Sequence, residues 1–324
     1  MSVRVIKGGL LTTVQDEGRT GVYHLGMPPS GAMDKFSYRV ANMLVGNAPG
    51  AAVLEATYMG PELEVRADTV VAATGADMPM KVDGEEVEPW TSHAVKAGSV
   101  VSFEFLRAGA RTYLAIAGGI DVPEMMGSRA TYTLVGFGGF EGRGLQTDDE
   151  VRVLPDGDGT PGRSVPEDLR PAFTKETELR LVVGLSSYRL QPDSLAGFFE
   201  TTWQVTPDAN RTGYRYRGGE LRFVDRTPPH GAGSDPANVT DIGYPVGSIQ
   251  VPGGVEPIAL LADAVTGGGY ATIATIISAD LDRAGQSKTN DSTRFVEVDL
   301  DGALQARREA AERLERVREA IGAA

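Results

Sequence analysis

The sequence predicts a mainly β protein built in two halves, with a few short helices and one longer helix at its C-terminal end. Three observations carry this. Short β-prone runs recur between turn residues, 41 glycines and 19 prolines are spread over the 324 residues, and one stretch rich in Pro, Gly and charge interrupts the chain near its middle.

Residues 63–107 show the strand pattern best. Leu63-Glu64-Val65, Val70-Val71-Ala72-Ala73, Met80-Lys81-Val82 and Val100 to Phe105 are short β-prone runs. Asp83-Gly84 suits a tight hairpin turn, because both residues tolerate positive φ. Val101, Phe103 and Phe105 alternate with polar residues, as in a half-buried strand. Met33, Phe36, Val40, Met43 and Leu44 follow helical spacing instead, and Gly46-Asn47 is a stop signal. Residues 155–178 form a linker containing Pro155, Pro161, Pro166 and Pro171, which places a boundary near residue 160 and divides the chain into 1–160 and 161–324. Thr227 to Asp241 reads as a long loop in the second half. Ala303 to Ile321 reads as a helix with Leu304, Ala311, Leu314, Val317 and Ile321 on one face and Asp301 as N-cap. That face either packs on its own domain or docks a partner. A faint repeat, Arg19-Thr20-Gly21…Gly26 and Arg211-Thr212-Gly213…Gly218, would fit duplicated β domains.

Composition excludes several function classes. Hydrophobic residues are 41% and charged residues 23%, an ordinary globular balance. There is no cysteine, hence no disulfide scaffold, thiolate metal site or cysteine nucleophile. The net charge of −13 disfavours nucleic-acid binding. His24, His93 and His230 form no close-spaced ligand pair, so no metal site is expected. No apolar run reaches the roughly 20 residues that span a membrane, and the N-terminal runs are too interrupted for a signal peptide. A cytoplasmic location is the expectation.

Four constellations could carry chemistry. The run Thr12 to Arg19 contains Gln15, a candidate substrate contact, and Asp16 and Arg19, close enough in sequence to pair across a turn. Such a pair either orients a substrate amide or carboxylate or simply fixes the turn. Pro28-Pro29-Ser30-Gly31 leads into the first helix, with Ser30 as natural N-cap and Asp34 in the first turn. Asp34 there either steadies the helix dipole or serves as a polar site residue. The glycine-rich segments 117–121 and 136–143 lack the P-loop pattern and the setting of a Rossmann fingerprint. They read as tight turns with close backbone packing, or as a flap over a ligand. Asp263 to Tyr270 sets a carboxylate, the Thr266 hydroxyl, three glycines and the Tyr270 phenol after an apolar strand, with Arg211, Tyr214 and Gln250 expected nearby. No Ser-His-acid triad emerges.

These and further blocks resemble a known family. TTVQDEGRTGVYHLGMPPSGAMD, LEATYMGPELE, YLAIAGGIDVP, GGFEGRGL, NRTGYRYRG, GSIQVPGG and PIALLADAVTGGGYATIATIISADL resemble the KipA-type proteins, also called the 5-oxoprolinase C-subunit or allophanate hydrolase subunit 2. The family corresponds to one half of the carboxyltransferase region of urea carboxylase. The resemblance covers residues 1 to about 300. It implies two cyclophilin-like β-barrel domains, one over 1–160 and one over 161–324. It implies a subunit, inactive alone, of an enzyme that hydrolyses 5-oxoproline to glutamate with ATP bound in the assembled complex. The implied partners are a KipI-type subunit (the 5-oxoprolinase B-subunit, or allophanate hydrolase subunit 1) and often a LamB/YcsF-type A-subunit. Two other roles are compatible with the family: a carboxyltransferase component using biotin on a separate carrier, and a regulatory protein antagonising a KipI-type inhibitor. On this reading Asp16, Arg19, Asp34 and Asp263 are catalytic candidates, and Gln15, Arg211, Tyr214, Gln250, Thr266 and Tyr270 are substrate-binding candidates. The chain departs from the family pattern at Gly184-Leu185-Ser186-Ser187, where G-P-Q is usual, and at Val265 and Gly267, where glutamine and threonine are usual. Losing those polar groups changes which substrate a hydrogen-bonding pocket prefers.

Overall fold

Alternation along the first strand shows how the architecture starts: Val3 and Val5 are fully buried, while Arg4 between them and Ile6 after them keep partial exposure. The computed structural model of the chain describes residues 1–155, 159–227 and 230–323. Contacts group the chain into two units.

The first unit comprises Met1–Thr20, Ser30–Phe173 and Ala311–Ala324. Its described strands are β1 (Ser2–Lys7), β2 (Leu11–Gln15), β3 (Val53–Thr57), β4 (Glu62–Val65), β5 (Thr69–Asp77), β6 (Met80–Val82), β7 (Glu85–Val87), β8 (Ser92–Val95), β9 (Val100–Phe103), β10 (Ala108–Ile116) and β11 (Glu150–Arg152). They make two sheets, ordered β11-β1-β4-β9-β6-β7 and β2-β3-β10-β5-β8. Val3, Leu63 and Val101 from the first sheet share one core with Val14, Leu54 and Leu114 from the second. The other face of the five-stranded sheet is covered by α1 (Lys35–Leu44), through Tyr38, Val40, Ala41 and Leu44, each fully buried. Full burial of one large aliphatic side chain stabilises by about 1.5–3 kcal/mol. Val317 and Ile321, from the last turns of α4 (Leu300–Ile321), join the same cluster.

The second unit comprises Gly21–Pro29 and Thr174–Ala310. Its described strands are β12 (Glu176–Val183), β13 (Thr202–Ala209), β14 (Gly213–Arg217), β15 (Asn238–Gly243), β16 (Ser248–Gln250), β17 (Ile258–Leu260), β18 (Gly267–Tyr270), β19 (Thr272–Ile276) and β20 (Ser292–Glu297). Seven of them close a barrel in the order β12-β19-β16-β17-β14-β13-β20. Strands β12 and β20 pair in parallel, and their pairing closes the ring. Leu181, Val205, Tyr216 and Phe295 are buried in it, and Phe198 of α2 (Pro192–Glu200) stacks on Phe295 at 4.8 Å between ring centroids. Strands β15 and β18 form a separate two-stranded ribbon. A short helix, α3 (Leu281–Gln286), precedes β20.

The mainly β architecture and the C-terminal helix are as the sequence indicates. The Asp83-Gly84 turn joins β6 to β7, with φ of 53° and 88° at its two residues. Several details differ. Among the described residues the first unit is a pair of sheets over one core rather than a closed barrel, because the edge strands of one sheet do not pair with those of the other. The units are not two continuous halves meeting near residue 160: Gly21–Pro29 groups with the second, and Ala311–Ala324 returns to the first. The cap of α1 is Asp34, whose Oδ1 accepts from the Ser37 amide at 2.9 Å, and not Ser30. The first turn of α4 is capped by Asp299, which accepts from the Gly302 amide at 2.7 Å, and not by Asp301. Of the buried face expected on α4, Leu304 is exposed while Val317 and Ile321 are buried. Residues 156–158 of the expected linker and 228 and 229 of the expected loop lie outside the described residues, and 238–241 of that loop are strand. The R-T-G repeat has no common structure, since Gly21 lies in a loop and Gly213 opens β14. Among the described residues no helix is long and apolar enough to cross a membrane.

Candidate functional site

Register builds the polar cluster of the first unit. Thr13 on β2 lies opposite Glu55 on β3, Glu55 opposite Tyr113 on β10, and Tyr113 opposite Thr74 on β5. Directly paired residues share a face. This polar row therefore runs across the side of the sheet that faces α1, away from the apolar core. All four side chains are at most 1% exposed.

Helix α1 plugs into this row by its N-terminus. The Asp34 carboxylate caps the helix, taking the Ser37 amide and, at 2.6 Å, the Ser37 hydroxyl. The Asp34 amide donates to Tyr113 Oη at 2.7 Å, and Tyr113 donates to Glu55 Oε2 at 2.9 Å. The Met33 amide donates to the same Glu55 oxygen at 2.9 Å. Arg111 Nε stands 3.7 Å from Glu55 Oε1, an ion-pair distance rather than a hydrogen bond. Burial, then the nearby Glu55 and Asp34 carboxylates, push the Tyr113 phenol well above its ordinary value, so it keeps its proton and serves as a donor.

The turn after β2 is tied to the 125–131 loop. Asp16 accepts from the Gly18 amide (2.8 Å), the Ser128 hydroxyl (2.7 Å) and the Arg129 amide (2.5 Å). Arg19 donates to the Met125 and Ala130 carbonyls and lies 4.9 Å over the Phe137 ring. The two residues thus anchor one loop in parallel, rather than forming the turn-spanning pair that their spacing suggests. Gln15 donates to Thr13 Oγ1 (2.9 Å) and to the Thr131 carbonyl (3.2 Å). Gly138 belongs to this packing, since a Cβ there would fall 2.2 Å from Arg19 Nη2 and 2.3 Å from the Ala130 oxygen. The glycine-rich 136–143 segment therefore lies tight against its neighbours, the closer of its two readings to what is observed.

The Asp16 turn and the segment leading into α1 touch through backbone. The Ala32 amide donates to the Asp16 carbonyl at 2.8 Å. Gly31, at φ +79°, sits where a Cβ would be 2.6 Å from the Gly18 nitrogen. Beside it Ser30 holds φ +52°, a conformation that costs a non-glycine residue about 1–3 kcal/mol unless its surroundings impose it. Ser30 is 1% exposed and its hydroxyl has no hydrogen-bond partner among the described residues. A buried, strained, unpartnered hydroxyl is a functional signal.

The second unit holds its carboxylate differently. Arg211 Nε and Nη2 donate to the two Asp263 oxygens at 2.8 and 3.1 Å, with both side chains buried. Backbone bonds from the Asp263 amide to the Arg211 carbonyl (3.0 Å) and from the Leu261 amide to the Thr212 carbonyl (2.9 Å) hold the two segments together. Thr266 and Tyr270 belong to the ribbon and its approach, where the Tyr244 amide donates to the Thr266 carbonyl and the Tyr270 amide to Tyr244 Oη. Tyr23 donates to the Tyr244 carbonyl. Tyr214 and Gln250 are not neighbours in one pocket. Tyr214 pairs with Ala259 and Ala259 with Ile249, the inward row, whereas Gln250 pairs with Ile258 and Thr272 on the outer row. Gln250 is 9% exposed and its buried Oε1 has no partner among the described residues.

Sequence reasoning misses Glu55, Tyr113, Arg111 and the orphan hydroxyl of Ser30 as chemical groups. Glu55 has a readable signal, an acid inside the apolar strand Val53-Leu54-Glu55-Ala56. Among the described residues no three His, Asp or Glu side chains are placed to hold a metal ion.

Comparison with known proteins gives one family. The carboxyltransferase domain, subdomains A and B, matches residues 25–297. The 5-oxoprolinase C-subunit of Escherichia coli K12 is 36% identical over 315 residues, covering 95% of this chain and 94% of that protein. The urea amidolyase of Saccharomyces cerevisiae is 34% identical over 93% of this chain, which spans only 17% of that protein. The crystal structure of the K. lactis urea amidolyase superposes with a TM-score of 0.92 at 32% identity, covering 98% of this chain and 20% of that one.

Proposed function

Starting from the fact that the chain belongs to the carboxyltransferase family of subdomains A and B, we propose that it is one subunit of an enzyme that processes small amides, with ATP-dependent hydrolysis of 5-oxoproline to glutamate as its reaction. One observation carries the choice. The E. coli 5-oxoprolinase C-subunit shares 36% identity with this chain over 315 residues, against 34% over 312 for the yeast urea amidolyase.

The polar face of the first unit suits such a substrate. A lactam presents a C=O acceptor and an N–H donor side by side. The Ser30 hydroxyl can serve either, and it lacks an internal partner. Asp16, Arg19 and Asp34 act in this reading as positioning residues, since their visible bonds fix the 125–131 loop and the start of α1. Gln15 stands in the same polar neighbourhood as a substrate contact. In the second unit Gln250 offers an unpartnered amide oxygen, and Thr266 and Tyr270 are further substrate contacts. The Arg211–Asp263 pair holds the Asp263–Tyr270 loop, with Asp263 as positioning residue, and Tyr214 supports the barrel from inside. The enzyme works in the cytoplasm with a KipI-type partner and a LamB/YcsF-type partner, and the complex rather than this chain alone binds ATP and turns over.

The likeness to urea amidolyase favours a second reading, a carboxyltransferase component served by biotin on a separate carrier. Co-expression with the partner chains, followed by assays of 5-oxoproline, urea and related lactams, separates the two. ATP-dependent release of glutamate from 5-oxoproline is the expected result. An assembled complex that leaves 5-oxoproline untouched but carboxylates urea, given a biotin carrier, overturns it in favour of the second.

A further inference from the structure

A pocket of about 530 Å³ lies in the first unit at the C-terminal end of α1, walled on one side by the last turns of α4. That volume is in the range of small-molecule sites. Its lining runs along α1 from Tyr38 and Arg39 to Met43 and the loop after it, and includes Glu17, next to Asp16, but none of Ser30, Asp34, Glu55 and Tyr113. Met43, Pro49 and Leu314 supply an apolar lining. Among the described lining residues are three guanidinium groups, those of Arg39, Arg163 and Arg318, and one carboxylate, Glu17. In a chain of net charge −13 that concentration of positive charge is against the average.

The three arginines are not equivalent. Arg39 and Glu17 form a bidentate pair at 2.6 and 2.8 Å. Arg163 donates to the Met43 carbonyl at 3.3 Å, and among the described residues no carboxylate lies within ion-pair distance of it. Arg318 reaches Glu315 through Nη1 at 3.1 Å, an exposed pair of small energetic weight, while its Nε is buried and has no acceptor among the described residues. One guanidinium without a carboxylate and one orphaned buried N–H therefore border an apolar hollow.

We propose that this pocket binds a small organic carboxylate with an apolar body. Its carboxylate would meet Arg163 and Arg318, whose planar forks match that group. Its apolar part would lie against Met43 and Leu314. Occupancy would tie the end of α4 to the loop after α1. The inference is independent of the reaction proposed above.

Isothermal titration of the full chain with benzoate tests it, with inorganic phosphate as the second arm. Saturable one-to-one binding of benzoate is expected, at least tenfold tighter than phosphate. The Arg163→Gln and Arg318→Gln variants should each weaken it at least tenfold, with unchanged circular dichroism. Arg318→Lys, which keeps the charge but loses Nε, should weaken it too and serves where the glutamine variant does not fold. Leu314→Trp should fill the hollow and abolish binding. No saturation at millimolar benzoate, equal affinity for phosphate, or undiminished binding in folded arginine variants each overturns the proposal.

Discussion

The two units stabilise a buried carboxylate in different ways. In the first, Glu55 accepts from two neutral donors, the Met33 amide and the Tyr113 hydroxyl, and also pairs with the buried Arg111 at 3.7 Å. In the second, Asp263 is held by two charge-assisted bonds from Arg211. Adding neutral donors to an ion pair spreads the interaction over several groups, so the loss of one donor removes only part of it. A bidentate ion pair concentrates the interaction, and removing one partner strands the other in a low-dielectric site. The first arrangement ties the start of α1 to the sheet. The second suits a fixed strut.

That contrast orders the expected effects. Asp263→Ala should cost the most, about 3–5 kcal/mol, because it leaves the Arg211 guanidinium buried without its carboxylate. Urea denaturation measures it, and the double variant Arg211→Met/Asp263→Leu should recover most of the loss. Glu55→Gln should cost about 1–3 kcal/mol, since the amide keeps one acceptor for Met33 and Tyr113 while Arg111 loses its carboxylate partner. A loss as large as that of Asp263→Ala would break the comparison. Asp34→Ala removes a helix cap and should cost about 1 kcal/mol, with Asp34→Ser recovering most of it. Ser30→Gly should leave stability within about 0.5 kcal/mol of the parent or raise it, because glycine tolerates the positive φ. In the assembled complex, however, the same variant should lower turnover tenfold or more, as loss of a substrate contact requires. Full turnover in Ser30→Gly would show that the orphan hydroxyl has no catalytic use.

Much of this is legible in the sequence, for identifiable reasons. The hairpin at Asp83-Gly84 and the helix over Lys35–Leu44 follow from turn chemistry and 3.6-residue spacing, both local properties. Asp263 and Arg211 stand out by residue type beside glycine-rich turns, and the structure pairs them. The helix cap lies four residues beyond its expected place because Ser30 has a cap's chemistry but not its backbone, which is left-handed. The separation of Tyr214 from Gln250 is invisible in the sequence, since facing in a barrel depends on register between strands distant along the chain. Glu55 escapes notice because its partners come from the start of α1 and from β10, and only folding brings them together.

The division of the chain into two discontinuous units bears on how such a gene can be split. Cutting within residues 155–178 would release a first product without Val317 and Ile321, two side chains of its own core. The second product would lack Tyr23, which bonds the Tyr244 carbonyl beside the ribbon. Fission at the most obvious sequence break would thus give two incomplete pieces.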